Sequence, residues 1–339
     1  MTVVELDLGR ILLIVNPAAQ NGNGAIIGIK TIDLLDRALG TDSAPGACDE
    51  NVASGLTGAS ALCIERTQGP GQATEIAASA ADFDTVVALG GDGIVHEVVN
   101  GLMRIDRESR PRLGIIPVGS GNDYARTLGI STNYKKAVDQ LLHPKEYVMD
   151  VGLCNDIYFA ETVSFGLDAA IAIETMERRK RTGKKGVMLY LESGLDQLKN
   201  HFNLYDFEID IPVLGPKADQ MYLLAIQNGP TYGGGFSIAP EADPTDGLLD
   251  ICIAHPPLSW LKATMIFLLA KNGHHRGFKQ MQSFKTPRLK LRFETEVPGQ
   301  IDGEELFGKD FDIRILPGEL KVLTSTHKSF REQPFTYRC

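Results

Sequence analysis

A chain of 339 residues suggests about two domains at roughly 100–200 residues each, and its 43% hydrophobic residues suffice for substantial cores. The formal net charge of -9, from 34 basic and 43 acidic side chains, argues against bulk nucleic-acid binding. Cys48, Cys63, Cys154, Cys252 and Cys339 are scattered, with no CxxC pair and no zinc spacing, so reduced thiols are expected.

The first third alternates strand and helix signals. Ile11 to Val15 is an all-apolar strand entering the loop Asn16-Pro17-Ala18-Ala19-Gln20-Asn21-Gly22-Asn23-Gly24, before a helix through Leu39. The Gly/Ala/Ser-rich stretch from Gly40 to Ser60 reads as a long flexible loop. Leu62 to Arg66 is a second strand and Gln72 to Ala80 a second helix. Thr85 to Leu89 reads as a buried strand, followed by the turn Gly90-Gly91-Asp92-Gly93. Val95, Val98, Val99, Leu102 and Met103 then recur at helical spacing. Leu113 to Ile116 is a fourth strand, followed by Pro117-Val118-Gly119-Ser120-Gly121-Asn122-Asp123 and a helix through Leu128. Four such units in a row predict an α/β domain with a doubly wound, mainly parallel sheet. Ligands on such sheets bind at the carboxyl ends of the strands, where these glycine-rich loops lie.

From about Tyr147 alternating segments take over: Ile157–Phe165, Leu204–Ile211, Met221–Gln227, Leu248–Ala254, Leu289–Phe293 and Phe311–Ile315. Helical stretches near Ala169–Met176 and Leu258–Lys271 interrupt them. This predicts a second, largely antiparallel, β-sandwich-like domain. The expected division is 1–146, 147–324 and a polar tail over 325–339, with the first domain as that tail's candidate docking place. The N-terminus has no basic region leading into an apolar one, and Ala263–Ala270 is far short of the roughly 20 residues that span a bilayer. A cytoplasmic chain, at most peripheral at a membrane, is expected.

The Gly90–Gly93 turn lets the backbone approach a ligand, and the helix start supplies N–H groups and a positive dipole end suited to phosphate. A carboxylate in that turn repels bare phosphate, but makes sense with a divalent cation between the two. Gly22-x-Gly24 followed by Gly28 has the spacing GxGxxxG and no acidic residue at a strand end about 20 positions on, so a nicotinamide role is not expected. No GxxxxGK[ST] follows any strand, so backbone groups and metal, without a P-loop lysine, are expected to hold phosphate. His96 reads as a helix residue near solvent. Asp246-Gly247 and Asp302-Gly303 each read, on their own, as hairpin turns as readily as sites.

Together these segments carry a resemblance. Asn16-Pro17, Thr67, Gly90–Gly93, Glu97 to Gly101 and Pro117 to Arg126 are similar to the diacylglycerol kinase catalytic domain family. It continues through Tyr232-Gly233-Gly234-Gly235, Ala239-Pro240, Asp246-Gly247-Leu248-Leu249-Asp250, Gly273-x-His275 and Ile301-Asp302-Gly303-Glu304. The second half is most similar to the soluble bacterial lipid kinase branch, whereas Val95-His96-Glu97-Val98 resembles the sphingosine kinases. Ile94 stands where the bacterial members usually have threonine.

The resemblance implies ATP and Mg2+ as cofactors. Nucleotide contacts would come from Asn16, Thr67, Gly90, Gly91, Asp92, Gly93, Ile94, Glu97, Gly119, Ser120, Gly121 and Asn122, with Asp92 also reaching metal through water. Glu304 or its rival Asp302 would take the acceptor hydroxyl's proton. Asp246, with the carbonyls of Asp243 and Leu248, would hold a structural magnesium. The implied reaction is γ-phosphoryl transfer to a lipid hydroxyl, with diacylglycerol giving phosphatidic acid. The alternatives are a sphingosine- or ceramide-type acceptor, a soluble alcohol or NAD, or a non-catalytic nucleotide- or lipid-binding regulator. The expected partners are a lipid substrate at the inner membrane face and a second copy of the chain, with no nucleic acid. Two segments read either way: the basic run Arg178-Arg179-Lys180-Arg181 with Lys184-Lys185 as a solvated loop or a contact to anionic headgroups, and Leu258 to Leu269 with Trp260 and Phe267 as a helix packed on the β domain or lying at a membrane interface.

Overall fold

The computed structural model describes residues 7–41, 62–184, 186–212, 214–326, 328 and 330. The chain forms two compact units, Met1–Val148 with Glu319–Ser329, and Met149–Gly318 with Phe330–Cys339.

In the first unit, β1 (Ile11–Val15), β2 (Leu62–Arg66), β3 (Thr85–Gly90) and β4 (Arg112–Pro117) run parallel in the order β2-β1-β3-β4. Leu13 pairs with Ile64 on one side and Val87 on the other. Every residue of β1 and β3 is buried, as befits central strands covered on both faces. The helices are α1 (Ala19–Leu39), α2 (Gln72–Ala78), α3 (Asp92–Leu102), α4 (Asp123–Thr127) and α5 (Tyr134–Leu142). The expected loop before α1 persists as a break inside it, where Gln20, Asn21 and Gly22 have positive φ. Helix α5, unread in the sequence, is capped by Asn133, whose side chain accepts from the N–H groups of Lys135 and Lys136. The expected loop over 40–60 lies almost wholly outside the described residues.

The second unit is a β-sandwich with a helical layer. Its elements are β5 (Lys145–Cys154), β6 (Ile157–Phe159), β7 (Thr162–Gly166), α6 (Leu167–Thr182), α7 (Val187–Asn200), β8 (Tyr205–Ile211), β9 (Gly215–Met221) and β10 (Leu223–Gln227). After them come β11 (Leu249–Ala254), α8 (Trp260–Ala270), β12 (Met281–Thr286), β13 (Arg288–Phe293), β14 (Gly299–Ile301), β15 (Glu304–Glu305) and β16 (Asp310–Thr324). One antiparallel sheet has the order β12-β11-β10-β7-β14-β15, and another runs β16-β13-β8-β9. Phe165, Phe293 and Phe311 meet between the sheets, with the Phe165 ring 4.7 Å from Phe311 and 5.2 Å from Phe293. Strand alternation turns Ala225 and Cys252 the other way, into a second core shared with α6, α7 and α8. Strand β16 is shared, since Leu291 pairs with its Phe311 in the second unit and Leu113 with its Val322 in the first. Residues 319–324, read from sequence as part of the second domain, thus lie with the first unit.

Several expected segments change. Ile157–Phe165 is two strands, α6 extends beyond Ala169–Met176, and α7, β9, β12, β14 and β15 were unread. Cys63 is disulfide-bonded, against the expectation of reduced thiols. Cys154 and Cys252 are free, and burial pushes both thiols up to about 12.

Candidate active site

Strands β1, β3 and β4 end beside one another in three glycine-bearing loops. Asn16 N–H donates to the Leu89 carbonyl, Val118 N–H to the Gly90 carbonyl, and the Asn16 Oδ1 accepts from Ala18 N–H. The two principal turns touch through backbone. A Cβ on Gly91 would lie 2.9 Å from the Gly119 Cα, and one on Gly119 only 2.4 Å from the Gly91 Cα. A Cβ on Gly90 would stand 2.6 Å from the Ile94 side chain. Only glycine permits this approach.

Asp92 locks the turns together. Its Oδ2 accepts from Asn122 N–H and its Oδ1 from Asp123 N–H, both at 2.7 Å. Asn122, at φ 53°, closes its own loop: Oδ1 accepts from Gly119 N–H at 2.7 Å, and Nδ2 donates to the Gly119 carbonyl. Gln20 adds a bond from Nε2 to the same carbonyl, at 2.7 Å. The Gly93 and Ile94 N–H groups precede the first intrahelical bond, from Val95 to the Gly91 carbonyl. The Ser120 hydroxyl is buried without a hydrogen-bond partner among the described residues. Buried donors without partners are costly unless a ligand or water satisfies them. These loops therefore offer an anion glycine backbone, a helix start and an unsatisfied hydroxyl.

Not every residue expected here presents a side chain to a ligand. The Ile94 side chain is buried. Glu97 accepts from the N–H groups of Gly71 and Ala73, so its carboxylate caps α2. Thr67 bonds back to the Val15 carbonyl through its N–H at 2.9 Å. His96 is buried beside Asn100, against the expectation of a solvent position.

In the second unit, Asp302 and Glu304 have different surroundings. Asp302 has φ 47°; its Oδ2 accepts from Ala160 N–H, and its Oδ1 from the N–H groups of Glu161 and Thr162, at 2.8 to 3.0 Å. It fixes the start of β7. Glu304, two residues on, is exposed.

The residues implied as a structural magnesium site share one turn, with an ammonium beside it. The Asp246 Oδ1 accepts from Leu248 N–H, and its Oδ2 lies 2.8 Å from the Lys285 ammonium. Lys285 also reaches Asp250 at 3.0 Å and the Glu241 carbonyl at 3.2 Å. The Asp243 carbonyl accepts from Asp246 N–H. Among the described residues no group of three or more metal-ligating side chains occurs. Asp150 supports the same turn by accepting from the N–H groups of Gly247 and Gly318, and burial pushes its carboxyl up to about 6.

The second unit also contains a cavity that the sequence did not reveal. It holds about 580 Å³ of non-atom space, the open solvent at its mouth included. Leu223, Phe236, Ile266 and Phe267 help line it, so it is predominantly apolar. Its polar end is Asp168, at the start of α6, whose Oδ1 accepts from the hydroxyls of Tyr190, at 3.1 Å, and Tyr232. Burial raises the Asp168 carboxyl above the usual carboxylate range, while bonds from Ser164, the two tyrosines and Gln300 act against it. Gln300 Nε2 donates to Ser164 Oγ at 2.7 Å, and Gln300 Oε1 accepts from Gly303 N–H at 2.8 Å. A buried polar path thus joins the cavity's end to the turn carrying Glu304.

Arg178, in the basic run, is tied to Glu174 and Asp196. Lys180 and Lys184 pair with Glu177 and Glu192, and Lys185 lies outside the described residues. The run is therefore not a uniform free cationic patch.

Residues 36–154 match the diacylglycerol kinase catalytic domain family, and residues 161–324 match the YegS C-terminal NAD kinase beta sandwich-like domain. The chain is 33% identical to a probable YegS-like lipid kinase of Chromohalobacter salexigens, over 76% of this chain and 82% of that one. It is 30% identical to a diacylglycerol kinase of Bacillus subtilis, over 74% and 78%. Its fold is similar to the crystal structure of a diacylglycerol kinase from Bacillus anthracis, with TM-score 0.74 and 24% identity over 95% of this chain and 99% of that one.

Proposed function

The chain belongs to the YegS-like lipid kinase family, and from that premise we propose that it transfers the γ-phosphoryl group of ATP to a lipid hydroxyl, with diacylglycerol as acceptor. The observation that carries the lipid reading is the predominantly apolar cavity with Asp168 buried at one end. An acyl chain suits its walls, and a hydroxyl-bearing end suits Asp168, Tyr190 and Tyr232.

The roles follow from the chemistry. The glycine backbone and the first N–H groups of α3 hold the ATP phosphates, and the Ser120 hydroxyl donates to one of them. Asp92 keeps the two turns in register. Mg2+ accompanies ATP as part of the substrate and neutralises phosphate charge. Glu304 accepts the proton of the acceptor hydroxyl, because its carboxylate is exposed whereas Asp302 has both oxygens on backbone N–H groups. Phosphoryl transfer of this kind needs mainly alignment and charge stabilisation, with a positioned base for the alcohol.

A buried carboxylate at the cavity end also favours a second acceptor, an amino-alcohol of the sphingosine type, whose ammonium would pair with Asp168. Transfer of γ-labelled phosphate into mixed micelles of diacylglycerol, ceramide, sphingosine or monoacylglycerol separates these readings, with Glu304→Gln alongside. Label in diacylglycerol, lost in the variant, is the expected result. Label only in sphingosine selects the second reading, and label in no lipid overturns both.

A further inference from the structure

Helix α8 is apolar on two opposite sides. Ala263, Ile266, Phe267 and Ala270 face inward and line the cavity. Trp260, Leu261, Met265 and Leu268 are exposed, between 46% and 64% of their surface open. A helix apolar all round is ordinarily buried in a core or in lipid. Here the outer row has no cover among the described residues. Helix α7 packs closely on α8, with a Cβ at Gly194 only 2.3 Å from the Phe267 ring, and adds exposed Met188 and Leu195. Exposed apolar side chains gathered on two packed helices mark an interaction surface.

The charge pattern selects the partner. From residue 251 to 293 there is no acidic residue, although the whole chain carries -9. Lys262 lies in the first turn of α8 and Lys279 is exposed beyond its end, whereas the Lys271 ammonium turns inward to the Gly234 and Gly235 carbonyls. Apolar side chains flanked by cations suit the boundary between anionic headgroups and acyl chains.

We propose that α8 is a membrane-inserted wall: its outer row enters an anionic bilayer while its inner row closes the cavity. The acceptor then passes from the bilayer to the cavity beside this one helix, without crossing water. This rests on the lipid-acceptor reading for the cavity's contents, but the insertion is measured separately.

Trp260 is the chain's only tryptophan, so its emission reports the outer face directly. The experiment mixes the full chain with vesicles of phosphatidylglycerol and phosphatidylcholine, with and without brominated acyl chains. A blue shift and bromine quenching are expected, weaker on phosphatidylcholine alone. In the double variant Leu261→Glu/Leu268→Glu, vesicle partitioning should fall at least about 100-fold, since each buried leucine contributes roughly tenfold or more. That variant should keep its turnover of a short-chain, monomeric diacylglycerol and lose turnover of the same headgroup in a bilayer.

Unmoved Trp260 emission on vesicles overturns the insertion and leaves the kinase reading standing. A blue shift that needs only higher protein concentration points to a second copy on this face, and also overturns it. Quenching by brominated lipid with no phosphorylated lipid supports the insertion while the kinase reading fails.

Discussion

The two units assemble their candidate residues in different ways. In the first, the candidate surface is largely backbone, with Gly91 against Gly119, helix α3 beginning at Asp92, and Asp92 and Asn122 bonded to loop N–H groups. In the second, the work falls to side chains gathered from distant segments. Tyr190 and Tyr232 reach Asp168 across 22 and 64 residues, and Asp302 fixes backbone 140 or more residues away. A backbone site tolerates no added atom, whereas a side-chain site fails group by group. Substitutions should therefore behave differently in the two.

The largest effect expected is on the acceptor side. Glu304→Gln should lower kcat about 10²- to 10⁴-fold, the usual contribution of a positioned base. Because Glu304 is exposed, the melting temperature should hardly move. Asp302→Ala is its structural counterpart. It leaves the N–H groups of Ala160, Glu161 and Thr162 without their acceptor and should destabilise the second unit by roughly 2–3 kcal/mol. Steady-state kinetics and a denaturant melt on both variants check the division. A Glu304 variant with full activity, or an Asp302 variant of native stability, would break it.

On the nucleotide side, Gly119→Ala should cost about 1–3 kcal/mol through overpacking against Gly91. It should also abolish most of the stabilisation given by saturating ATP, about 2.7 kcal/mol at 100-fold excess over Kd. Thermal melts with and without ATP measure both. Full ATP stabilisation in this variant would show that the two turns do not need their close approach to hold nucleotide.

The same contrast explains what could be read from the sequence. Gly90–Gly93 and Pro117–Asp123 were legible because a backbone site is local: an apolar strand, a glycine turn and a helix start occupy consecutive residues. The parallel order of the four strands followed from the same repetition. Asp92 was legible as important, but its bonding to Asn122 and Asp123 was not, since that depends on two loops meeting across β3 and β4. Asp302 and Glu304 were indistinguishable for the same reason. Asp168 gave only a faint signal, one carboxylate between Leu167 and Ala169 directly after a strand. Lys285 against Asp246 was invisible, because cross-strand pairing of β11 with β12 brings them together.

The subtlest expected difference concerns pH and tests whether the Asp168 cluster is as dry as its hydrogen bonds suggest. Burial raises the Asp168 carboxyl in the folded chain, so between the ordinary carboxylate value and that raised value the folded state binds more protons than the unfolded one. Stability supplied by this group is therefore fully present at low pH and is lost as pH rises through the folded value. Asp168→Asn keeps an oxygen for the Tyr190 and Tyr232 hydroxyls but cannot ionise, so it should remove this contribution. The variant's stability relative to the native chain should then increase steadily as pH rises above the usual carboxylate range, as read by urea melts across pH. A constant difference at every pH would mean that Asp168 titrates alike folded and unfolded. The polar end of the cavity would then be open to water, and its preference for an acceptor headgroup would rest on the tyrosine hydroxyls alone.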